Sequence, residues 1–420
     1  MSLDLPVVTL APSREIPILA GHPWVFSNGV KRSPSIPAGS LVEIRSSQGQ
    51  FVGIGTFHPA NTIRVRILTR RKEPIGKGFF QSRLRELWER KKRLLPPRTD
   101  GFRLVHADAD DLPGLIVDLY ADTAVFQIHT AGMDGFRDPI VEALDELPEV
   151  QRVVERSDVV ARKSEGLPLL SPLIHRGRVE GPVRFHEQGM TMLADVLEGQ
   201  KTGFFLDQRE ARSFVREMAR GMRVVNLFSY TCSFGIAAWM GGAKEVVNVD
   251  SSSRALDLGA RMFRENHIDP EKECISFLEA GVFEYLEKEV GRKEQPGGVE
   301  ERVSPTSAPG DAPGVQDPLF LICDPPAFAK SRSTLESAGK AYLRLNTLCF
   351  QLLQSGDFFL TSSCSGMLDQ EEFINILRLA AGRAGRRTRI LRILGQAQDH
   401  TRTLAFPEGQ YLKTVVLEIL

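Results

Sequence analysis

Apolar and polar positions alternate with period two through the first 75 residues, in runs punctuated by Gly, Pro and Ser. The runs LVEIRSS (41–47), GQFVGIGTF (49–57) and NTIRVRILT (61–69) predict a small β-rich module. In the last of them Ile63, Val65 and Ile67 alternate with Arg64 and Arg66, so a strand there carries one apolar and one basic face. The period then lengthens. Over 79–95, Phe80, Leu84, Leu87, Lys91 and Leu94 or Leu95 recur at three-to-four spacing, which predicts a helix with Arg83, Arg85, Arg90, Lys91, Lys92 and Arg93 around it. Residues 103–185 read as a second unit: strands on either side of a D-L-P-G turn, a third at TAVFQIHT, and a helix at DGFRDPIVEALDEL. The strand-like RVVERSD and VRFHEQGMTMLADV follow.

From 221 onward strands and helices alternate. MRVVNLF, EVVNVD, CISFLEA, LFLICDPP, GDFFLTSSCS, TRILRIL and YLKTVVLEIL are the strand candidates, with amphipathic stretches at 252–266, 282–290, 333–353 and 369–383. This alternation predicts a doubly wound, mainly parallel α/β sheet. The chain therefore divides into a β-rich module at 1–75, a basic helix with an α+β middle domain at 76–190, and an α/β domain at 191–420. One stretch breaks the last rhythm: residues 291–318, rich in Gly, Pro, Ser and Glu, predict a flexible insertion.

Composition adds little to this until charge is placed along the chain. The 420 residues are 42% hydrophobic and 25% charged, with 53 Lys+Arg against 53 Asp+Glu. Residues 1–100, however, hold seventeen Lys+Arg and seven Asp+Glu, a net +10, so residues 101–420 carry −10. A basic front end on a neutral chain predicts a local polyanion-binding surface. The 79–95 helix is then either a solvated linker or part of a nucleic-acid contact. Five cysteines (Cys232, Cys274, Cys323, Cys349, Cys364) form no C-x-x-C pair, which argues against a disulfide framework and a zinc site; no metal ligand set is expected. The start lacks a basic leader with an apolar core, and no apolar run nears the ~18–20 residues of a membrane span, so a cytoplasmic location is expected.

In an open α/β sheet, ligands sit beyond the carboxyl ends of the strands. The residues there are Phe228-Ser229-Tyr230-Thr231-Cys232-Ser233-Phe234-Gly235, Asp250-Ser251, Asp324-Pro325-Pro326-Ala327-Phe328 and Ser363-Cys364-Ser365-Gly366. Asp250, at the end of the second strand, either accepts both hydroxyls of a ribose or caps the following helix. Because G-x-G-x-x-G is absent, a ribose ligand would favour S-adenosylmethionine over a dinucleotide. Two consecutive prolines force a rigid turn after Asp324, which predicts that this carboxylate faces a planar substrate amine. Cys364 is either a small buried hydrophobe or a nucleophile, and the flanking serines and Gly366 mark a polar turn. Cys323 and Cys349 read as core residues.

These residues together resemble the RlmI-type methyltransferases, S-adenosylmethionine-dependent enzymes that make 5-methylcytosine in 23S ribosomal RNA. The resemblance rests on H-P-W-V-F at 22–26, L-P-G-L-I-V-D at 112–118, K-T-G-F-F-L-D-Q-R at 201–209, N-L-F-S-Y-T, V-D-S-S, D-P-P-x-F, S-C-S-G and P-E-G-x-Y-L-K at 407–413, in that order. It implies a PUA-type β-barrel, a small α+β middle domain and a class I Rossmann-like methyltransferase domain. It implies that Phe228, Ser229, Tyr230, Asp250, Ser251 and Val282 line the cofactor and that Thr202, Asp207, Gln208 and Arg209 close its site. Ribosomal RNA, naked or partly assembled, is the implied partner, and a homodimer is compatible with it.

The implied chemistry uses Cys364 and Asp324. A thiolate adding to carbon 6 of cytosine makes carbon 5 nucleophilic, and Asp324 would hold the base through its ring nitrogen 3 or exocyclic amine. This sequence departs from the family pattern at Cys232-Ser233, where Gly-Gly is usual, at Gly281, where an aspartate is common, and at Ala327, where lysine is frequent. Two other readings are an RNA guanine methyltransferase, which needs no thiol, and a non-catalytic RNA-binding ribosome-assembly factor.

Overall fold

The computed structural model describes residues 4–33, 35–294, 317–328 and 335–420. They fall into two compact units, Met1–Leu206 with Ala397–Gly409, and Asp207–Gln396 with Gln410–Leu420.

The first unit begins with β1 (Val7–Leu10), α1 (Glu15–Leu19), β2 (Trp24–Phe26), β3 (Val30–Arg32), β4 (Leu41–Arg45), β5 (Phe51–Phe57) and β6 (Ile63–Thr69), which pair in the order β2-β6-β5-β4-β1-β3. The period-two pattern explains the core: Val8, Leu10, Val42, Ile44, Val65 and Ile67 all point inward and are fully buried. Helix α2 (Lys77–Lys92) leads to a five-stranded sheet, ordered β11-β10-β9-β8-β7, of β7 (Gly101–His106), β8 (Leu115–Tyr120), β9 (Thr123–Ile128), β10 (Arg152–Glu155) and β11 (Leu173–Arg176). Short helices α3 (Ala131–Asp134), α4 (Arg137–Asp145) and α5 (Ala161–Ser164) connect its strands. A hairpin of β12 (Val183–Glu187) and β13 (Met190–Ala194) follows.

The chain leaves this unit only after Leu206, beyond the boundary expected at 190. The reason is local packing. Phe204 stacks edge-on against Phe185 at 5.0 Å between ring centroids, and the Thr202 hydroxyl donates to Asp118 (2.6 Å) beside the Tyr120 hydroxyl (2.9 Å). Helix α2 is likewise no solvated linker. Phe80, Leu84 and Leu87 join the core of the middle sheet. Lys91, expected among the surface charges, is fully buried, donating to Asp110 (2.9 Å), the Asp399 carbonyl (2.5 Å) and Thr401 (2.9 Å). Arg90 and Lys92 pair with Asp110 and Glu149, which reduces the basic surface this helix offers.

Burial here has a cost in acid. His129, on the loop after β9, is held down to about pKa 4 by desolvation and by Arg103, Arg162 and Arg66. The unfolded chain takes up this proton near pH 6.5 and the folded one only near 4, so this group destabilises the fold progressively as pH falls through that window. A shift of that size is worth about 3 kcal/mol at pH 4. Thermal melts from pH 7 to 4 should show this loss in the parent and a flatter profile in His129→Gln.

The second unit holds α6 (Arg209–Met218), β14 (Arg223–Leu227), α7 (Ser233–Met240), β15 (Glu245–Asp250), α8 (Ser253–Glu265), β16 (Ile275–Glu279) and α9 (Val282–Glu294). After it come β17 (Leu319–Cys323), α10 (Leu335–Leu352), β18 (Phe358–Ser363), α11 (Gln370–Arg383), β19 (Thr388–Leu394) and β20 (Lys413–Ile419). The expected doubly wound sheet is present, ordered β16-β15-β14-β17-β18-β20-β19, with β20 antiparallel to both neighbours. Strand order reverses between β14 and β17, both parallel, which opens a crevice at their carboxyl ends. Of the segment expected to be a flexible insertion, residues 291–294 continue α9, and 295–316 lie outside the described residues.

Candidate active site

Every strand that borders the crevice delivers a polar residue to it. From β14 the chain enters the 228–235 loop, where Phe228, Tyr230 and Cys232 have φ of 54°, 46° and 61°. Three non-glycine residues in the left-handed region within five positions store of order 1 kcal/mol each. The amides of this loop are tied internally: Ser229 donates to the Val249 carbonyl, Tyr230 to Asp250 and Cys232 to the Ser229 carbonyl. Gly235, one turn into α7, is required by packing, since a Cβ there would lie 2.3 Å from Asn248 Oδ1 on β15.

Asp250 ends β15. Its carboxylate accepts from the Tyr230 amide (2.8 Å) and the Ser252 amide (2.9 Å), so it is pinned beside the loop. The capping alternative for Asp250 fails: Ser252 is the N-cap of α8, accepting from the Ala255 amide at 3.2 Å. Ser251 is exposed beside it. Val282, the first residue of α9, packs into the sheet core at 5% exposure.

Asp324 follows β17 and is half-buried. Gln208 Nε2 donates to its Oδ1 at 2.8 Å. Gln208, expected to close the cofactor site, thereby braces Asp324. Asp207 takes the Tyr411 hydroxyl at 2.7 Å, and Arg209 is buried at the start of α6. Thr202, also expected to close the cofactor site, belongs to the first unit, where its hydroxyl donates to Asp118.

Cys364 follows β18. Its Sγ lies 4.0 Å from the carbonyl oxygen of Pro325, which places the thiol against the turn that carries Asp324. Beneath the thiol is a buried polar lattice. Ser363 donates to the Tyr342 hydroxyl (3.0 Å), which shares a proton with Ser365 (3.1 Å), and burial pushes the Tyr342 phenol up, keeping it neutral. Phe328 packs on the Tyr342 ring at 4.8 Å. Cys323 and Cys349 are fully buried in the core, and burial raises the Cys323 thiol well above its ordinary value. Cys364 is half-buried and faces the crevice edge that they do not.

Comparison with known proteins gives this geometry a family. Residues 8–70 match a PUA-like domain and residues 179–299 an S-adenosylmethionine-dependent methyltransferase domain. "Ribosomal RNA large subunit methyltransferase I" of Aeromonas salmonicida is 39% identical over 415 residues, 98% of each chain. The protein of that name from Shewanella amazonensis is 35% identical over 98% of this chain and 99% of its own. This chain belongs to the large-subunit ribosomal RNA methyltransferase I family. Two solved structures share the fold. One, described as a SAM-dependent methyltransferase from Streptococcus mutans, has a TM-score of 0.79 at 20% identity over 98% of this chain and 99% of that one. A methyltransferase complexed with SAH has a TM-score of 0.80 at 21% identity over the same shares.

Family membership makes S-adenosylmethionine the cofactor, and the residues present fit it. The Tyr230 amide ties the loop to the pinned Asp250, and in the same loop the Thr231 hydroxyl is buried with no hydrogen-bond partner among the described residues. The departures from the family pattern also acquire physical content. Cys232 occupies a left-handed position that glycine takes without strain, and its sulfur fills the space over Gly259, where a Cβ would lie 2.4 Å from it. Gly281 has open space: a Cβ there meets nothing nearer than Glu284 at 3.8 Å. Motif reading gives no role to Tyr342, nor to Lys413, although Lys413 closes the P-E-G-x-Y-L-K motif. The signal for Lys413 was a lysine inside an otherwise apolar strand, YLKTVVLEIL.

Proposed function

We propose that this chain methylates carbon 5 of a cytosine in large-subunit ribosomal RNA through a transient bond from Cys364 to carbon 6. The observation that supports the reading is the approach of Cys364 Sγ to the carbonyl of Pro325, the residue after Asp324. Asp324, braced by Gln208, orients the base by hydrogen bonding to its nitrogen 3 or exocyclic amine and, when protonated, would give nitrogen 3 the proton that neutralises the charge created by addition. Bond formation from Sγ to carbon 6 pushes the ring π pair onto carbon 5, which becomes enamine-like. S-adenosylmethionine, when bound, supplies the electrophilic methyl group. Loss of the carbon-5 proton then restores the ring double bond and expels the thiolate. Asp250 and the 228–235 loop would hold the adenosyl and methionine parts.

The target nucleotide must leave any helix to reach this edge of the ring, and the PUA-like domain would hold the RNA through its backbone meanwhile. Arg14, Lys31 and Arg32 are exposed on that domain. Replacing all three with Ala should weaken RNA binding and lower the slope of log K against log salt by about 0.7–0.9 per lost phosphate contact. Filter binding at several salt concentrations reads this. An unchanged slope would place the RNA surface elsewhere.

Nucleoside mass spectrometry of large-subunit RNA from cells with and without the protein tests the reading as a whole. It predicts one 5-methylcytidine lost with the protein. A methylguanosine lost instead would establish the guanine reading, and no change in any nucleoside would favour the assembly-factor reading.

A further inference from the structure

Lys413 is the first residue of β20, directly opposite Ser363 in the antiparallel register with β18. It is 2% exposed, an unusual state for a lysine. Its Nζ donates to the carbonyls of Ser365 (2.6 Å), Leu368 (2.6 Å) and Tyr411 (2.9 Å). Three acceptors match the three protons of an ammonium; a neutral amine has one donor fewer. The first two carbonyls lie in the turn that begins with Cys364. All three are neutral, so the hydrogen bonds hold the cation without cancelling its charge.

We propose that Lys413 is the positioning residue for Cys364: its ammonium ties down the 364–368 turn and supplies the positive charge that favours the thiolate. This rests on the reading of Cys364 as nucleophile. A buried charge bonded only to carbonyls is a poor stabiliser compared with an apolar side chain of similar length, so its presence needs a reason beyond the fold. Burial lowers Lys413 to about pKa 8, and the charges of Cys364 and Asp369 act in the opposite direction. Coulombic coupling is mutual, so a thiolate that favours the ammonium is favoured by it. The other ionisable groups around the pair are accounted for. Tyr342 from α10 is kept neutral by burial, Asp369 caps α11, Asp207 is engaged by Tyr411, and Asp324 by Gln208.

The test is the pH profile of iodoacetamide alkylation, read at each cysteine by peptide mass spectrometry, in the full-length parent, Lys413→Arg and Lys413→Met. In Lys413→Met the midpoint for Cys364 should rise by about one pH unit, slowing its alkylation about tenfold at pH 7. Half-exposed Cys274 should be unaffected. Lys413→Arg should keep the parental midpoint, because it keeps the charge, but lose kcat through a displaced turn. Where Lys413→Met does not fold, Lys413→Gln carries the same expectation. A Cys364 midpoint unchanged in a folded neutral variant would overturn the inference, as would an equal rise in Lys413→Arg. The nucleophile reading fails separately. A shifted midpoint without any covalent capture of 5-fluorocytidine RNA would uphold the influence of Lys413 on the thiol and refute the catalytic role of Cys364.

Discussion

Cys364→Ala will lower methyl transfer by more than about 10⁴-fold, because without the thiol carbon 5 of cytosine is too weak a nucleophile to take the methyl group. The same variant should fold within about 1 kcal/mol of the parent, since the residue is only half-buried and loses a single sulfur atom. Cofactor affinity, measured by calorimetry, should stay close to parental, because the loop and Asp250 lie on other strands. The contrast with the neighbouring cysteines is the informative part. Cys323→Ala and Cys349→Ala remove sulfurs from a closed core and should lower stability through the cavities they leave while retaining the chemistry. Full activity in Cys364→Ala would return the guanine reading to first place.

Asp324→Asn carries the second large effect. Gln208 donates to Asp324 Oδ1, and an asparagine oxygen can accept the same bond, so the turn should survive. What disappears is the carboxyl that, when protonated, would give its proton to nitrogen 3 as addition puts negative charge on the ring. Loss of one such preorganised interaction costs about 10²–10³ in kcat. Single-turnover rates should show that loss, with RNA and cofactor binding near parental. Gln208→Ala should reproduce part of it by letting Asp324 swing, which separates bracing from direct contact.

Much of this arrangement is legible in the sequence, and the exceptions have physical causes. Period two and strand–helix alternation expose the sheets because half-buried strands and amphipathic helices must alternate in those ways. Helix α7 escapes because its Phe234–Ala238 stretch is apolar all round and buried, leaving no amphipathic stripe to detect. Lys91 and Lys413 were misjudged or overlooked for a shared reason: a lysine in a sequence reads as surface charge, and only tertiary structure shows carbonyls and hydroxyls gathered around a buried ammonium. Thr202 and Gln208 sit in a single motif, yet one is spent on Asp118 and the other on Asp324, a division that spacing along the chain does not encode. The strand ends, by contrast, were placed correctly. Asp250, Asp324 and Cys364 follow β15, β17 and β18, where a doubly wound topology puts ligand-facing residues.

The most direct test of thiol addition is covalent capture. RNA carrying 5-fluorocytidine at the methylated position replaces the departing proton with fluorine, so elimination stalls and the thioether persists after methyl transfer. Incubated with the full-length protein and S-adenosylmethionine, it should yield a denaturant-stable complex whose crosslinked peptide maps to Cys364. Cys364→Ala should give none, and Cys323→Ala should still give it. A complex that survives Cys364→Ala, or methylation that proceeds with no complex in the parent, would contradict the account.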